Sequence, residues 1–88
     1  MKEVIKFRVE IVHIPDPNKF GCLLAWMPQD LREQIAREVF STRTIPRKLR
    51  SVDLFTASTQ AQLIEDESNQ RAASEGRGDS YRGEVHRV

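Results

Sequence analysis

The stretch KFRVEIVHI, residues 6–14, constrains this chain more than any other. Ile5, Phe7, Val9 and Ile11 fall on one side at a period of two, with Lys6, Arg8 and Glu10 on the other. That is the pattern of a strand with one buried and one solvated face. A strand's backbone donors and acceptors stay unpaired until another strand lies beside it. The chain therefore holds a second strand, or a second copy supplies one.

PDPNK, residues 15–19, is a strong turn signal. FGCLLAWM, residues 20–27, reads two ways. As a strand it returns along the first, with Phe20, Cys22, Leu24 and Trp26 on one face. As a helix it starts from Asp16 and Pro17, with Phe20, Leu23, Leu24 and Met27 on one side. The first strand's need for a partner favours the hairpin.

A helix is predicted over 28–41. Pro28 suits its first turn, Asp30 and Glu33 complement its N-terminal dipole, and Leu31, Ile35 and Val39 recur at every fourth position beside Ala36 and Phe40. KLRSVDLFT, residues 48–56, alternates well enough to be a third strand, or it opens a helix capped by Ser51. STQAQLIEDES, residues 58–68, has helical composition but only Ala61, Leu63 and Ile64 to bury. The expected class is α+β: a small single domain with an N-terminal β-hairpin packed on one amphipathic helix (28–41), a candidate third strand (48–56) and a polar C-terminal tail.

The composition shifts beyond residue 64. Residues 65–88 carry four basic and six acidic side chains, and their apolar content is Ala72, Ala73, Tyr81, Val85 and Val88. Such a segment returns little burial for the entropy of ordering it. The expected organisation is a 1–64 domain and a 65–88 tail, disordered alone or ordered by a partner. Trp26, Met27, Phe40 and Phe55 are the large apolar groups, assigned first to the core and otherwise to an interface. Sixty-four residues make a marginal core, so a homo-oligomer or a bound partner is expected.

Several function classes lose support. A net charge of +1, from 14 basic and 13 acidic residues, gives no global steering toward nucleic acid. The single cysteine cannot staple the fold. No apolar run approaches a signal or a membrane span, so a cytoplasmic protein without membrane contact is expected. The side chains most often used as nucleophile and base are few, Cys22, His13 and His86; a Cys22–His13 pair would need a third group such as Asp16 to orient it. No metal-ligand spacing or phosphate loop is present, and the acids at 65–67 lack the glycine of a calcium loop. No enzyme activity and no cofactor are expected.

The basic stretch TRTIPRKLRS, residues 42–51, holds Arg43, Arg47, Lys48 and Arg50 with no acid among them. In the tail, SEGRGDSYRG places Arg77, Tyr81 and Arg82 among glycines and contains the adhesion-like pentapeptide GRGDS. The chain around GRGDS has no matrix-type repeat or disulfide framework, so adhesion is not its expected role. These seven side chains are the candidate partner-binding residues. The expected function is a small interaction module that binds, and regulates or inhibits, a larger protein or complex, in the manner of an accessory protein of a virus or mobile element. The alternative is a nucleic-acid-binding protein using the basic loop 43–50.

Overall fold

The partner that the first strand requires is the last segment of the chain. The computed structural model describes residues 4–20 and 26–88. Its elements are β1 (Phe7–Ile14), a 3-10 turn at Pro17–Phe20, α1 (Gln29–Glu38), β2 (Thr42–Thr44), a 3-10 turn at Arg47–Leu49, α2 (Leu54–Ser74) and β3 (Ser80–Arg87). The sheet order is β2-β1-β3, with β1 central. β1 pairs antiparallel with β3 along its whole length, from Phe7 opposite Arg87 to Ile14 opposite Ser80. β2 adds a short antiparallel pair on the other side, Ile11 opposite Thr44 to His13 opposite Thr42.

The class is α+β, and the N-terminal antiparallel pair is β1–β2 with α1 in its connection. Of the predicted return strand 20–27, residues 21–25 lie outside the described residues. α1 falls within the predicted 28–41 helix, with Pro28 at its N-cap position and Asp30 in its first turn. The stretch 48–56 is not a strand. It contributes one bridge, Val52 to Phe7, with backbone hydrogen bonds of 2.8 and 2.9 Å, and then enters α2. The cap is Asp53 rather than Ser51: its carboxylate accepts from the Thr56 backbone N–H at 3.2 Å and from the Thr56 hydroxyl.

The boundary at residue 64 does not appear in the chain's path. α2 runs through it without interruption, and the segment expected to be a polar tail supplies the helix's second half and strand β3. The cause is small-residue packing. The buried positions of α2 are Ala57, Ala61 and Ala72, and Ala57 and Ala61 share a core cluster with Val9, Ile11 and Leu49. A helix that buries alanines advertises little hydrophobicity, yet its axis comes close to the sheet. At Gly83 a β-carbon would stand 2.3 Å from the Ala61 carbonyl oxygen, so only glycine fits under the helix there.

Polar side chains of α2 also close the outer edge of β3. Asn69 accepts from the Tyr81 N–H (2.8 Å) and donates to the Tyr81 carbonyl (2.9 Å), and Glu65 accepts from the Gly83 N–H (3.0 Å). An exposed edge strand is thereby partly paired without another strand.

Ala61, Ala57 and Val9 are buried, whereas the aromatics assigned to the core are not. Trp26 and Phe55 are more than three-quarters exposed and Phe40 is also exposed, with Met27 half-buried. The contact between α2 and the sheet is made instead by small residues, with Ala61 directly over Gly83. The molecule is long and thin, 59 × 25 × 18 Å, with a radius of gyration of 15.9 Å. A compact chain of this length would have one of about 12 Å.

Candidate interaction surface

The seven candidate residues fall into three separate places. Arg43 and Arg82 lie on the sheet face opposite α2. There the antiparallel register sets Glu10 directly against Glu84, and like charges directly opposite destabilise a sheet. Arg43 resolves the conflict, donating through Nη1 to both Glu10 (3.2 Å) and Glu84 (2.5 Å). Arg8 Nε donates to Glu10 at 2.7 Å, and Arg82 donates to Glu84 at 2.8 Å. His86 Nε2 lies 2.9 Å from Glu84 and 3.8 Å from Glu10.

Burial pushes the Glu10 carboxyl up, but Arg8, His86 and Arg43 outweigh it and hold it below the usual carboxylate range. The hydrogen bond from Arg43, with those from His86 and Arg82, holds Glu84 down at about 2. Ligand atoms of Glu10, Glu84 and His86 lie within 4.8 Å of one another, close enough for a metal ion. Both carboxylates are already neutralised by arginines, however, so the geometry is that of an internally compensated charge ladder.

Arg77 and Tyr81 belong to a second cluster, and it gives GRGDS a structural role. Gly76, next after the Glu75 C-cap of α2, adopts a left-handed φ of 70°. Its N–H donates to the Ala73 carbonyl and the Arg77 N–H to the Ala72 carbonyl, at 3.1 and 2.8 Å. This is the double hydrogen bond of a Schellman cap.

The chain then turns into β3 through Gly78, where a β-carbon would meet the Asp16 carboxyl at 2.6 Å. The Asp79 carboxylate is only 5% exposed. It contacts His13 Nε2 at 2.8 Å and accepts from the Asp16 backbone N–H at 3.0 Å and from Arg77 at 3.1 Å. His13 stacks on Tyr81 with ring centroids 4.7 Å apart, and Arg77 donates to the Tyr81 hydroxyl at 3.2 Å. The hydrogen bond with His13 leads the effects that hold Asp79 below its usual range.

The Arg and Asp of the pentapeptide are therefore bound to each other, Asp79 also to His13 of β1 and Arg77 to Tyr81 of β3, not displayed together to solvent. Cys22, the nucleophile candidate, lies outside the described residues, and Asp16 meets Asp79 rather than His13.

The third place differs in kind. Arg47, Lys48 and Arg50 are exposed around the second 3-10 turn, and none takes part in an ion pair or a side-chain hydrogen bond with the described residues. Pro46 sets the turn's entry, and Leu49 anchors it by dipping into the core cluster. Between this turn and α2 runs a groove of about 620 Å³, walled by Pro46, Leu49, Gln60 and Ile64 and rimmed by Arg47 and Lys48. It combines an apolar floor with unspent cations at its rim.

Among the acids at 65–67, Glu65 binds the Gly83 N–H and Gln62, and Asp66 accepts from Gln62. Glu67 is exposed and unpaired among the described residues. No helix among the described residues is long and apolar enough to cross a membrane. Comparison with protein-family models, curated proteins and solved structures gives no match.

The sequence did not single out the groove, because Gln60 and Ile64 meet Arg47 and Lys48 only through tertiary packing. It also missed the pairing of Arg43, Arg77 and Arg82. The register signal was present, with Tyr81, Gly83 and Val85 alternating against Arg82, Glu84 and His86. Glycine and charge hid it.

Proposed function

We propose that this chain is a small non-enzymatic binding module of the cytoplasm that docks on a larger protein through the groove between the Arg47–Leu49 turn and α2, and so regulates or inhibits it. One observation carries the reading: Arg47, Lys48 and Arg50 are the candidate cations left unneutralised among the described residues, and the first two rim an apolar groove. Such a surface suits an acidic amphipathic segment, whose apolar residues enter the groove while its carboxylates meet the rim. Nucleic-acid binding through 43–50 draws on the same cations but loses Arg43 to Glu10 and Glu84, and phosphates have no use for an apolar floor.

The test is calorimetric titration with a synthetic acidic amphipathic helix of Glu and Leu and, separately, with duplex DNA. The expected result is peptide binding that weakens at least ~10-fold, about 1.4 kcal/mol, in an Arg47→Glu, Arg50→Glu variant. Equal affinity in that variant would sink the proposal. Tight duplex binding with a steep salt dependence would replace it with the nucleic-acid reading.

A further inference from the structure

The surface of the chain is larger than one folded molecule of this mass should expose. It presents 6,484 Å², whereas a monomer of this size exposes about 5,300 Å². The difference exceeds the roughly 800 Å² that each partner gives to a standard interface.

The flank of α2 beside the groove has a specific order along the helix. Gln60, Leu63, Ile64 and Glu67 stand on one side at the spacing that makes helix neighbours. Leu63 is 46% exposed, and Ile64 is half-buried as a wall of the groove. At the Gln60 end lie the cations Arg47 and Lys48. Two turns further, about 10 Å along the axis, lies the exposed Glu67. The patch thus reads cation, apolar centre, anion, with Arg71 the next charge beyond Glu67 on the same flank.

The cation, apolar centre and anion of that order are complementary to themselves under a two-fold axis, with Arg71 falling beyond them, opposite Thr56. In an isologous contact each copy presents the same surface reversed. An axis between Leu63 and Ile64, with the two helices antiparallel, sets Gln60 of each copy against Glu67 of the other. Arg47 and Lys48, beside Gln60, then face that carboxylate. Leu63 and Ile64 of both copies meet at the centre, over the floor made by Pro46 and Leu49.

We infer that the groove between the Arg47–Leu49 turn and α2 is also a homodimer interface, in which two copies pack their α2 helices antiparallel and each copy's Arg47 and Lys48 pair with Glu67 of the other. The inference rests on the same groove as the proposed function, and it adds a second copy as an occupant that competes with an acidic partner.

Sedimentation equilibrium on three chains decides it: wild type, Glu67→Lys, and Arg47→Glu with Lys48→Glu. Wild type is expected at twice the chain mass, and each variant alone at the chain mass, because like charges then face each other at both ends of the patch. An equimolar mixture of the two variants is expected to recover the doubled mass. The new glutamates of one chain then meet the new lysine of the other, while the reciprocal pair stays native in sign. All the substituted positions are exposed, and matching circular-dichroism melts check that each variant folds.

Three results would each overturn the inference. These are a wild-type chain that stays monomeric up to ~1 mM, variants that remain dimeric alone, or a mixture that does not reassociate. Failure here leaves the acidic-peptide titration standing. Glu67→Lys leaves the groove's own lining intact, so a peptide titration of that variant, monomeric or not, separates the two readings.

Discussion

The two faces of the same three strands are held by opposite means. Beneath α2 the face is apolar and governed by distance: Val9, Ile11, Ala57 and Ala61 form its centre, and Gly83 lets the helix backbone come down onto the sheet. The other face is governed by charge saturation, with Glu10 and Glu84 held by Arg8, Arg43, Arg82 and His86. The first face tolerates no added atom, and the second tolerates no missing charge. Arginines on the charged face are therefore committed to the fold. Among the seven candidate residues, the cations free for another molecule lie where neither rule applies, at the turn Arg47–Leu49 and at Arg50 beside it.

The strongest way to break the first face is Gly83→Ala. The new methyl group would overlap the Ala61 carbonyl oxygen and carbon, both backbone atoms of a long helix, so no side chain can move aside. The cost expected is about 3 kcal/mol, a fall of more than ~10 °C in the melting temperature. An unchanged melt would show that α2 can lift from β3 at little cost.

Next in size is the seam joining the cap of α2 to the end of β1. Asp79→Ala removes the common partner of His13, Arg77 and the Asp16 N–H. The expected loss is about 2 kcal/mol, since buried charge-assisted hydrogen bonds are worth more than neutral ones. Thermal melts monitored by circular dichroism measure it. A negligible loss would mean that the GRGDS stretch is an ordinary surface turn, and it would return Arg77 to the cations available for binding.

This contrast explains what could be read before the structure. β1 was legible because Val9 and Ile11 alternate with charged residues, and α1 because Leu31, Ile35 and Val39 recur at helical spacing. β3 and the length of α2 were not legible. Their fit depends on Gly83 lying under Ala61, a contact between two small residues 22 positions apart that carries no hydrophobic signature. The candidate cations were legible as a set but not as individuals. Arg43 and Arg47 look alike in sequence, and only the β1–β2 register places Arg43 over Glu10 and Glu84.

A smaller effect sharpens the charged face. Glu84 has its folded pKa depressed from 4.5 to about 2. Its contribution is thus fully present above pH 4.5 and is lost as the pH falls toward 2. Glu10 and Asp79 are shifted in the same direction, so they add to the loss of stability in acid. Glu84→Gln is expected to melt several degrees below wild type at pH 7, with the gap closing by pH 2. A gap that stays constant down to pH 2 would mean that shape, not charge, holds that face.

The smallest expected effect is the one that separates the turn from both faces. Arg47 and Arg50 contribute no ion pair or side-chain hydrogen bond among the described residues, and both are exposed. Exposed charges of this kind contribute within about 0.5 kcal/mol. Arg47→Glu with Arg50→Glu should leave the melting temperature within ~3 °C of wild type when measured at low chain concentration, where self-association does not contribute. Arg43→Glu offers the opposite case, because it would place a third carboxylate between Glu10 and Glu84. Equal melts for the two variants would erase the distinction between committed and available cations. A destabilised Arg43→Glu beside a native-like Arg47→Glu, Arg50→Glu would locate the surface that this chain can offer to another molecule.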